Sequence, residues 1–395
     1  MQVGRRQYER SKLFALEPPR MSASPMSRPV VHLALELSVT SWLIAYRLPW
    51  SDKVRLQKLS AGDSAALLTL VSDLREKVAA RMGPDVTLAS CFEAGRDGFW
   101  LHRLLTDNGV INHVVEPTSI LITRGARRAK TDRLDAQGLL RVLAAAFAGD
   151  REICRMVRTP SVAEEDDKRP HREREYLVQE RVRVENRIAA LLATQGVLRR
   201  PSLRTWETDL DALRTGDGRP LPPCLKTELD RLRRRLLMTL EMIREVEATR
   251  EQAMEAHDTP ANQTVKALCK LRGLGDNFSA VLAKEVFYRT FDNRRQIASY
   301  LGLAPTPFQS GRMDRDRRIN RAGNSRARKT MVQLAWLWLR YQPESRLAQW
   351  FRARVGDLQG RTRRIAIIAM ARKLLIAIWR FITVGVVPEG AILAA

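Results

Sequence analysis

Along the first half of the chain, short continuous apolar runs alternate with helically spaced apolar stripes, the pattern of a mixed α/β domain. Residues 30–37 (VVHLALEL) form a compact apolar run that carries one carboxylate, Glu36. Residues 42–48 and 54–59 follow, separated by polar turns, and read as the next two strands of a meander. Residues 61–81 predict a helix, with Leu67, Leu70, Val71, Leu74 and Val78 on one stripe. Residues 86–92 read as another strand that delivers Glu93 at its C-terminal end. A helix over 95–108 and a short strand over 112–116 complete this half.

The second half is patterned differently. Residues 160–170 (PSVAEEDDKRP) form an acidic, proline-bounded connector that marks a domain boundary. Charged helical sequence runs from Arg172 to about Gln195, and a proline- and glycine-containing break spans 216–223. Leu229, Leu232, Leu236, Leu240 and Ile243 then step by threes and fours, a coiled-coil stripe that suits pairing within the chain or with another subunit. From about Thr264 the pattern is again that of a compact domain. Leu271–Gly275 (LRGLG) between two helical stretches is similar to the turn of a helix-hairpin-helix, where glycines let backbone amides approach a phosphate. Residues 300–324 read as a loop by composition, and 329–341 and 347–355 as amphipathic helices whose Trp336, Trp338 and Trp350 belong to a core. The boundaries implied are a disordered basic tail at 1–28, an α/β domain at 29–160, a helical coiled-coil region at 161–260 and a mainly α domain at 261–395.

Charge narrows the choice of partner. Lys and Arg number 68 against 44 Asp and Glu, a net charge of +24 that points to a polyanion, with nucleic acid foremost. A membrane partner is disfavoured, because the apolar stretch 365–387 is interrupted by Arg372, Lys373 and Arg380 and reads as a helix packed on a core. Cys91, Cys154, Cys224 and Cys269 show no paired spacing, which leaves no zinc or disulfide signature and fits reduced thiols in a cytosolic protein. The first 28 residues lack the apolar segment of a signal peptide, and Met21 and Met26 are alternative starts.

Candidate chemistry gathers at a few positions. Asp132 and Asp135 are three residues apart and share a helix face just after Arg124, Arg127, Arg128 and Lys130. Close carboxylates call for a cation between them, and the basic run suits a phosphate backbone, so a divalent metal holding a nucleic-acid phosphate would satisfy both. Spacing alone favours a charged helix start. Glu93 lies at a strand end, where open α/β sheets place ligand sites. Glu36 sits in an apolar strand, where a carboxylate is costly unless paired, metal-bound or turned outward. In the second half, Ser310 immediately precedes a run with six arginines between Arg312 and Arg326. A serine beside a glycine and surrounded by arginine suits nucleophilic attack on a phosphodiester, or simply a turn in a nucleic-acid-binding loop. The nucleic-acid-facing set on this side is Arg312, Arg315, Arg317, Arg318, Arg321, Asn324, Arg326 and Arg328.

Taken in order, ELS, FEAGRDGFWLHRLL, RRAKTDRLDAQGLLR, LRGLG, ASYLGLAP, QSG and RINRAGNSRARK resemble an insertion-sequence-110-type transposase over residues 28–380. The KTDRLDA and GLAP…QSG…GN segments are the most specific parts. The resemblance implies an RNase-H-like (RuvC-like) N-terminal domain with four acidic magnesium ligands. It also implies a helical coiled-coil insertion and a C-terminal serine-bearing domain. Carried over by motif, Glu36, Glu93, Asp132 and Asp135 are the ligands, and Ser310 is the residue that forms a covalent protein–DNA intermediate. Double-stranded DNA at the element's ends and target, an element-encoded guide RNA, and a dimer-to-tetramer with shared active sites are implied as partners. The implied location is the bacterial cytoplasm, on the nucleoid. The first ligand is usually Asp in this family; Glu36 reaches about one carbon–carbon bond further, roughly 1.5 Å. Two other classes compete: a junction nuclease that uses water without Ser310, and a non-catalytic nucleic-acid-binding derivative.

Overall fold

A computed structural model of the protein describes residues 28–96, 98–120, 131–150, 152–310, 313–319, 322–356 and 360–394. The chain divides into two compact units, one up to Pro160 and one from Ser161. The first holds β1 (Val30–Leu37), β2 (Ser41–Arg47), β3 (Arg55–Ser60), α1 (Ser64–Met82), β4 (Thr87–Glu93), α2 (Trp100–Asp107), β5 (Ile111–Val115) and α3 (Asp132–Phe147). The sheet order is β3-β2-β1-β4-β5. β2 runs antiparallel to both β1 and β3, whereas β4 is parallel to β1 and β5 to β4. β1 is therefore central and covered on both faces, which explains its nearly unbroken apolar sequence.

The two faces of the sheet differ in side-chain size. Val31, Leu33, Leu35, Leu88 and Phe92 pack under α1 and α2, meeting Leu67, Val71 and Leu74 of α1 and Leu101 and Leu105 of α2. The opposite face is floored by Ala34, Ala45, Ala89 and Cys91, and α3 lies on it through Ala136, Leu139, Leu140 and Leu143. Small side chains let the helix come close, and the Cys91 thiol donates to the Leu139 carbonyl at 3.6 Å. Phe147 at the end of α3 stands edge-on to His32 near the start of β1, with centroids 5.6 Å apart. α3 thus runs antiparallel to β1, which brings its N-terminus to the end of the sheet where β1 and β4 finish.

The second unit begins with α4 (Val162–Asp166), α5 (Arg169–Ala193), α6 (Trp206–Ala212) and α7 (Pro223–Ala256). Arg187 pairs with Glu228, Glu180 with Arg235 and Arg174 with Glu247. The partner numbers rise as the α5 numbers fall, so α5 and α7 form an antiparallel pair. The leucine stripe of α7 is used within the chain: Leu229 and Leu236 pack against Val184, Ile188 and Leu192, closed at one end by Trp206 of α6.

The remainder comprises α8 (Pro260–Cys269), α9 (Asp276–Glu285), α10 (Arg294–Tyr300), β6 (Pro305–Ser310), β7 (Met313–Ile319), α11 (Ser325–Tyr341), α12 (Arg346–Val355) and α13 (Arg361–Val384). Met370, Leu374, Leu375 and Ile378 of α13 lie in its core with Trp338 and Leu334 of α11. The 365–387 stretch is thus a packed helix, and among the described residues no helix is long and apolar enough to cross a membrane. Two readings are corrected. The segment read as a loop contains the antiparallel hairpin β6–β7. A lone two-stranded ribbon has only edges, so prolines at 305 and 307 break no interior ladder. Of the tryptophans assigned to the core, Trp338 is 1% exposed but Trp336 is 38% exposed, under the Arg363 guanidinium. Trp350 is partly buried, with the Lys373 ammonium over its ring.

Leu139 of α3, whose carbonyl accepts from the Cys91 thiol, is buried in the cluster on the sheet floor, 2% exposed. Leu139→Ala is expected to cost about 2–5 kcal/mol in a denaturant titration, because the helix cannot sink further onto alanines. A loss below about 1 kcal/mol would contradict this packing.

Candidate active site

The acidic residues can be placed by counting along the two directions of the layer. β1 and β4 pair with Leu35 beside Phe92, so one further residue sets Glu36 beside Glu93 at the carboxyl end of both strands. Parallel partners share a face, and Ala34 and Cys91, two residues earlier, belong to the α3 side. Glu36 and Glu93 line one cavity of about 300 Å³ together with Ser38, Gly95 and Arg96. From Cys91, Glu93 is two residues on, roughly 7 Å. From Leu139, which Cys91 touches, Asp135 is four residues back, roughly 6 Å along the helix. Asp135 is therefore level with Glu93, and Asp132 stands about one turn beyond.

Local chemistry sets the start of α3. Thr131 is the N-cap, in extended conformation, and its hydroxyl accepts from the Leu134 amide at 3.3 Å. Asp132 and Asp135 then occupy the first turn, where carboxylates complement the helix dipole. Asp132 is exposed and Asp135 half-buried. These carboxylates share one end of the sheet without closing into a cage. Among the described residues, no three His, Cys, Asp or Glu side chains lie close enough to hold a metal ion. All four donors are nonetheless carboxylate oxygens, the type magnesium and calcium prefer. Arg124, Arg127, Arg128 and Lys130 lie outside the described residues, as do Arg312, Arg321 and the 1–27 part of the expected tail.

Ser310 ends β6, opposite Met313, and Arg315, Arg317 and Arg318 lie on β7. Pro305 pairs with Ile319 at the base of this hairpin. Asn324, Arg326 and Arg328, expected to face nucleic acid, are tied into the protein. The Asn324 side chain caps α11 by accepting from the Ala327 amide at 3.0 Å. Arg326 donates to Glu175 at 2.5 Å, and Arg328 to the carbonyls of Leu301 and Ala322 at 3.0 and 3.1 Å. Arg328 thereby links the chain just before the hairpin to the chain just after it. Gly323 has φ +78°, and a Cβ there would collide with the Tyr300 carbonyl, so the returning strand lies directly on the end of α10. The LRGLG turn does join α8 to α9, and Gly273 (φ +94°) packs against the Tyr341 ring.

One cluster escaped the sequence reading. The Glu285 carboxylate is buried among His171, Arg172, Asn324 and Arg326. Its signal was a glutamate inside the apolar helical run AVLAKEVF, which implies partners but names none of them.

Comparison with known proteins adds an independent line. Residues 265–349 match the family described as "Transposase IS116/IS110/IS902 family". A protein of Sinorhizobium fredii named as a transposase is 44% identical over 373 residues, 92% of this chain and 94% of its own length. A transposase for insertion sequence element IS1328 of Yersinia enterocolitica is 28% identical over 55% of this chain and 63% of its own. A transposase for insertion sequence element IS1111A of Coxiella burnetii is 25% identical over 75% and 77% respectively.

The cap geometry carries its own test. Thr131→Ala is expected to remove about 1 kcal/mol of local stability. Hydrogen exchange should accelerate at the first amides of α3 while Thr131→Ser stays near wild type. Unchanged exchange in the alanine variant would show that another group holds the helix start.

Proposed function

The chain belongs to the IS116/IS110/IS902 family of transposases, and we propose that it excises and inserts its own insertion sequence by magnesium-dependent phosphoryl transfer with Ser310 as nucleophile, guided by an RNA encoded in the element. The observation that carries this reading is the placement of the acids. Glu36 is the last residue but one of β1, Glu93 ends β4 beside it, and α3 brings Asp132 and Asp135 to the same end of the sheet. An acid on the first strand, one on the fourth and a pair on a later helix is the arrangement expected of an RNase-H-like, RuvC-like domain, and the first unit is read as one.

Glu36, Glu93, Asp132 and Asp135 would hold the magnesium. Bound there, the ion supplies Lewis-acid stabilisation of the phosphate and of the departing oxygen. A divalent ion between carboxylates on adjacent strands would offset their mutual repulsion. The extra reach of Glu36 matches that of Glu93, also a glutamate, in the next strand. In the reaction, the Ser310 hydroxyl gives up its proton, its oxygen bonds to the DNA phosphorus, and one sugar oxygen leaves and takes up a proton. Arg315, Arg317 and Arg318 on the strand opposite would neutralise backbone phosphates. Double-stranded DNA at the element ends and target is the substrate, and the working form is read as a homo-oligomer, dimer to tetramer.

Three measurements test the reading on the full chain with the element's DNA and its transcribed flank. Ser310→Ala should abolish both the covalent protein–DNA adduct and strand transfer; continued cutting would make water the nucleophile. Asp132→Asn should abolish cleavage while nucleic-acid affinity stays within about twofold, since an exposed carboxylate adds nothing to phosphate binding. Full activity in that variant would remove Asp132 from the metal set. Chelation should stop cleavage and added magnesium should restore it, whereas cleavage that persists in chelator would rule the ion out.

A further inference from the structure

Glu285 is the last residue of α9 and is 2% exposed, yet it carries a carboxylate. Its Oε1 accepts from His171 Nε2 at 2.9 Å and Arg172 Nε at 2.7 Å. Its Oε2 accepts from Arg172 Nη2 at 3.0 Å and Asn324 Nδ2 at 3.1 Å. The fork of Arg172 is thus bidentate, the strongest geometry available to such a pair. The Glu285 main-chain carbonyl accepts from the Tyr300 hydroxyl at 3.0 Å, and the Asn324 amide donates to the Tyr300 carbonyl at 2.8 Å. Every one of these partners stands at a junction. Tyr300 ends the helix before the hairpin, Asn324 follows the hairpin, and His171 and Arg172 form the root of the long helix α5.

We propose that Glu285 is a positioning residue for the Ser310 hairpin: its buried carboxylate holds Asn324, and with it the chain returning from β7, against α10 and the root of α5. The proposal rests on Ser310 being the nucleophile. A hairpin with no sheet partners among the described residues has few interactions of its own to fix its direction. Its orientation is set at its two feet. Arg328 ties these feet to each other, Gly323 presses one onto the Tyr300 carbonyl, and Glu285 anchors the pair to the rest of the unit.

The charge state agrees with this role. Burial pushes the Glu285 carboxyl up, but the hydrogen bonds from His171 and Arg172 and the charge of Arg172 outweigh it and hold the group well below the usual carboxylate range. Burial lowers His171 in turn, against the pull of Glu285. A neutral imidazole reconciles the two: Nε2–H donates to Glu285, while the buried Nδ1, which has no hydrogen-bond partner, carries no proton. Arg172 then supplies the balancing charge.

Two variants separate positioning from mere folding. Glu285→Gln keeps the shape of the side chain and removes the charge. Should that variant fail to fold, Asn324→Ser keeps an oxygen to cap α11 but loses the donor that reaches Glu285. The proposal expects Asn324→Ser to melt near wild type, to bind the element's DNA with unchanged affinity, and to form the Ser310–DNA adduct about tenfold to a hundredfold more slowly, since small misplacements of reacting groups cost rates of that order. Hydrogen exchange at 313–319 should rise while exchange in α13 does not. Wild-type adduct kinetics with unchanged exchange at 313–319 would overturn the proposal. So would a loss of DNA affinity with unchanged exchange, which would make Asn324 a direct DNA contact. If Ser310→Ala still cuts DNA, the nucleophile reading fails by itself. The exchange pattern at 313–319 then decides alone whether Glu285 orients this hairpin.

Discussion

The chemistry of the first unit depends on α3 lying antiparallel to β1 across a floor of alanines and a cysteine. Ala34, Ala45, Ala89 and Cys91 are small enough for the helix to approach the sheet closely. The direction of the helix then decides which of its ends meets the carboxyl ends of β1 and β4. Reversed, Asp132 and Asp135 would sit beside His32, at the far end of the strands from Glu36 and Glu93. Larger residues on this floor would lift the helix and separate its acids from those of the sheet. The opposite face, packed with Leu, Val and Phe under α1 and α2, holds the strands in register so that Glu36 and Glu93 end side by side.

The second unit solves another problem, which is how to present a short ribbon carrying the proposed nucleophile, Ser310. Its hydrophobic core, centred on α11 and α13, supplies rigidity, and the antiparallel pair α5–α7 extends from it. The hairpin is held at its base by polar contacts: Arg328 on two carbonyls, the Asn324 main-chain amide on a third, and a buried carboxylate that collects donors from two separate segments. Such a carboxylate is costly to bury alone and strongly held once its donors are in place. That makes Glu285 a sharper determinant of local geometry than an apolar residue of the same size, because each donor fixes a direction as well as a distance.

The strands and helices of the first unit were legible because each carries a pure pattern. Residues 30–37 form a continuous run for a central strand, and the α1 stripe is regular enough to name Leu67, Leu70, Val71, Leu74 and Val78, all of which are buried. The hairpin was not legible, since Pro305, Pro307 and a mixed-charge strand look like a loop when only composition is weighed. Asn324, Arg326 and Arg328 read as facing nucleic acid because sequence shows a basic, polar run but not which of its side chains meet carboxylates and carbonyls inside. Glu285 illustrates the converse case. Its partners are His171, Arg172, Asn324 and Arg326, and no local spacing links positions so far apart. The convergence of the acids was likewise beyond spacing, which left Asp132 and Asp135 as a plausible charged helix start. It came from resemblance to a family, and the sheet register then placed Glu36 and Glu93 together.

The central claim is that this edge of the sheet is a divalent-metal site assembled from three distant segments, and direct titration with paramagnetic Mn²⁺ tests it without any reaction. Electron paramagnetic resonance of the full chain should show bound Mn²⁺ that magnesium displaces. Glu93→Gln and Asp135→Asn should each weaken the binding although their positions lie on different elements. Binding of Mn²⁺ that is indifferent to both substitutions would contradict the account.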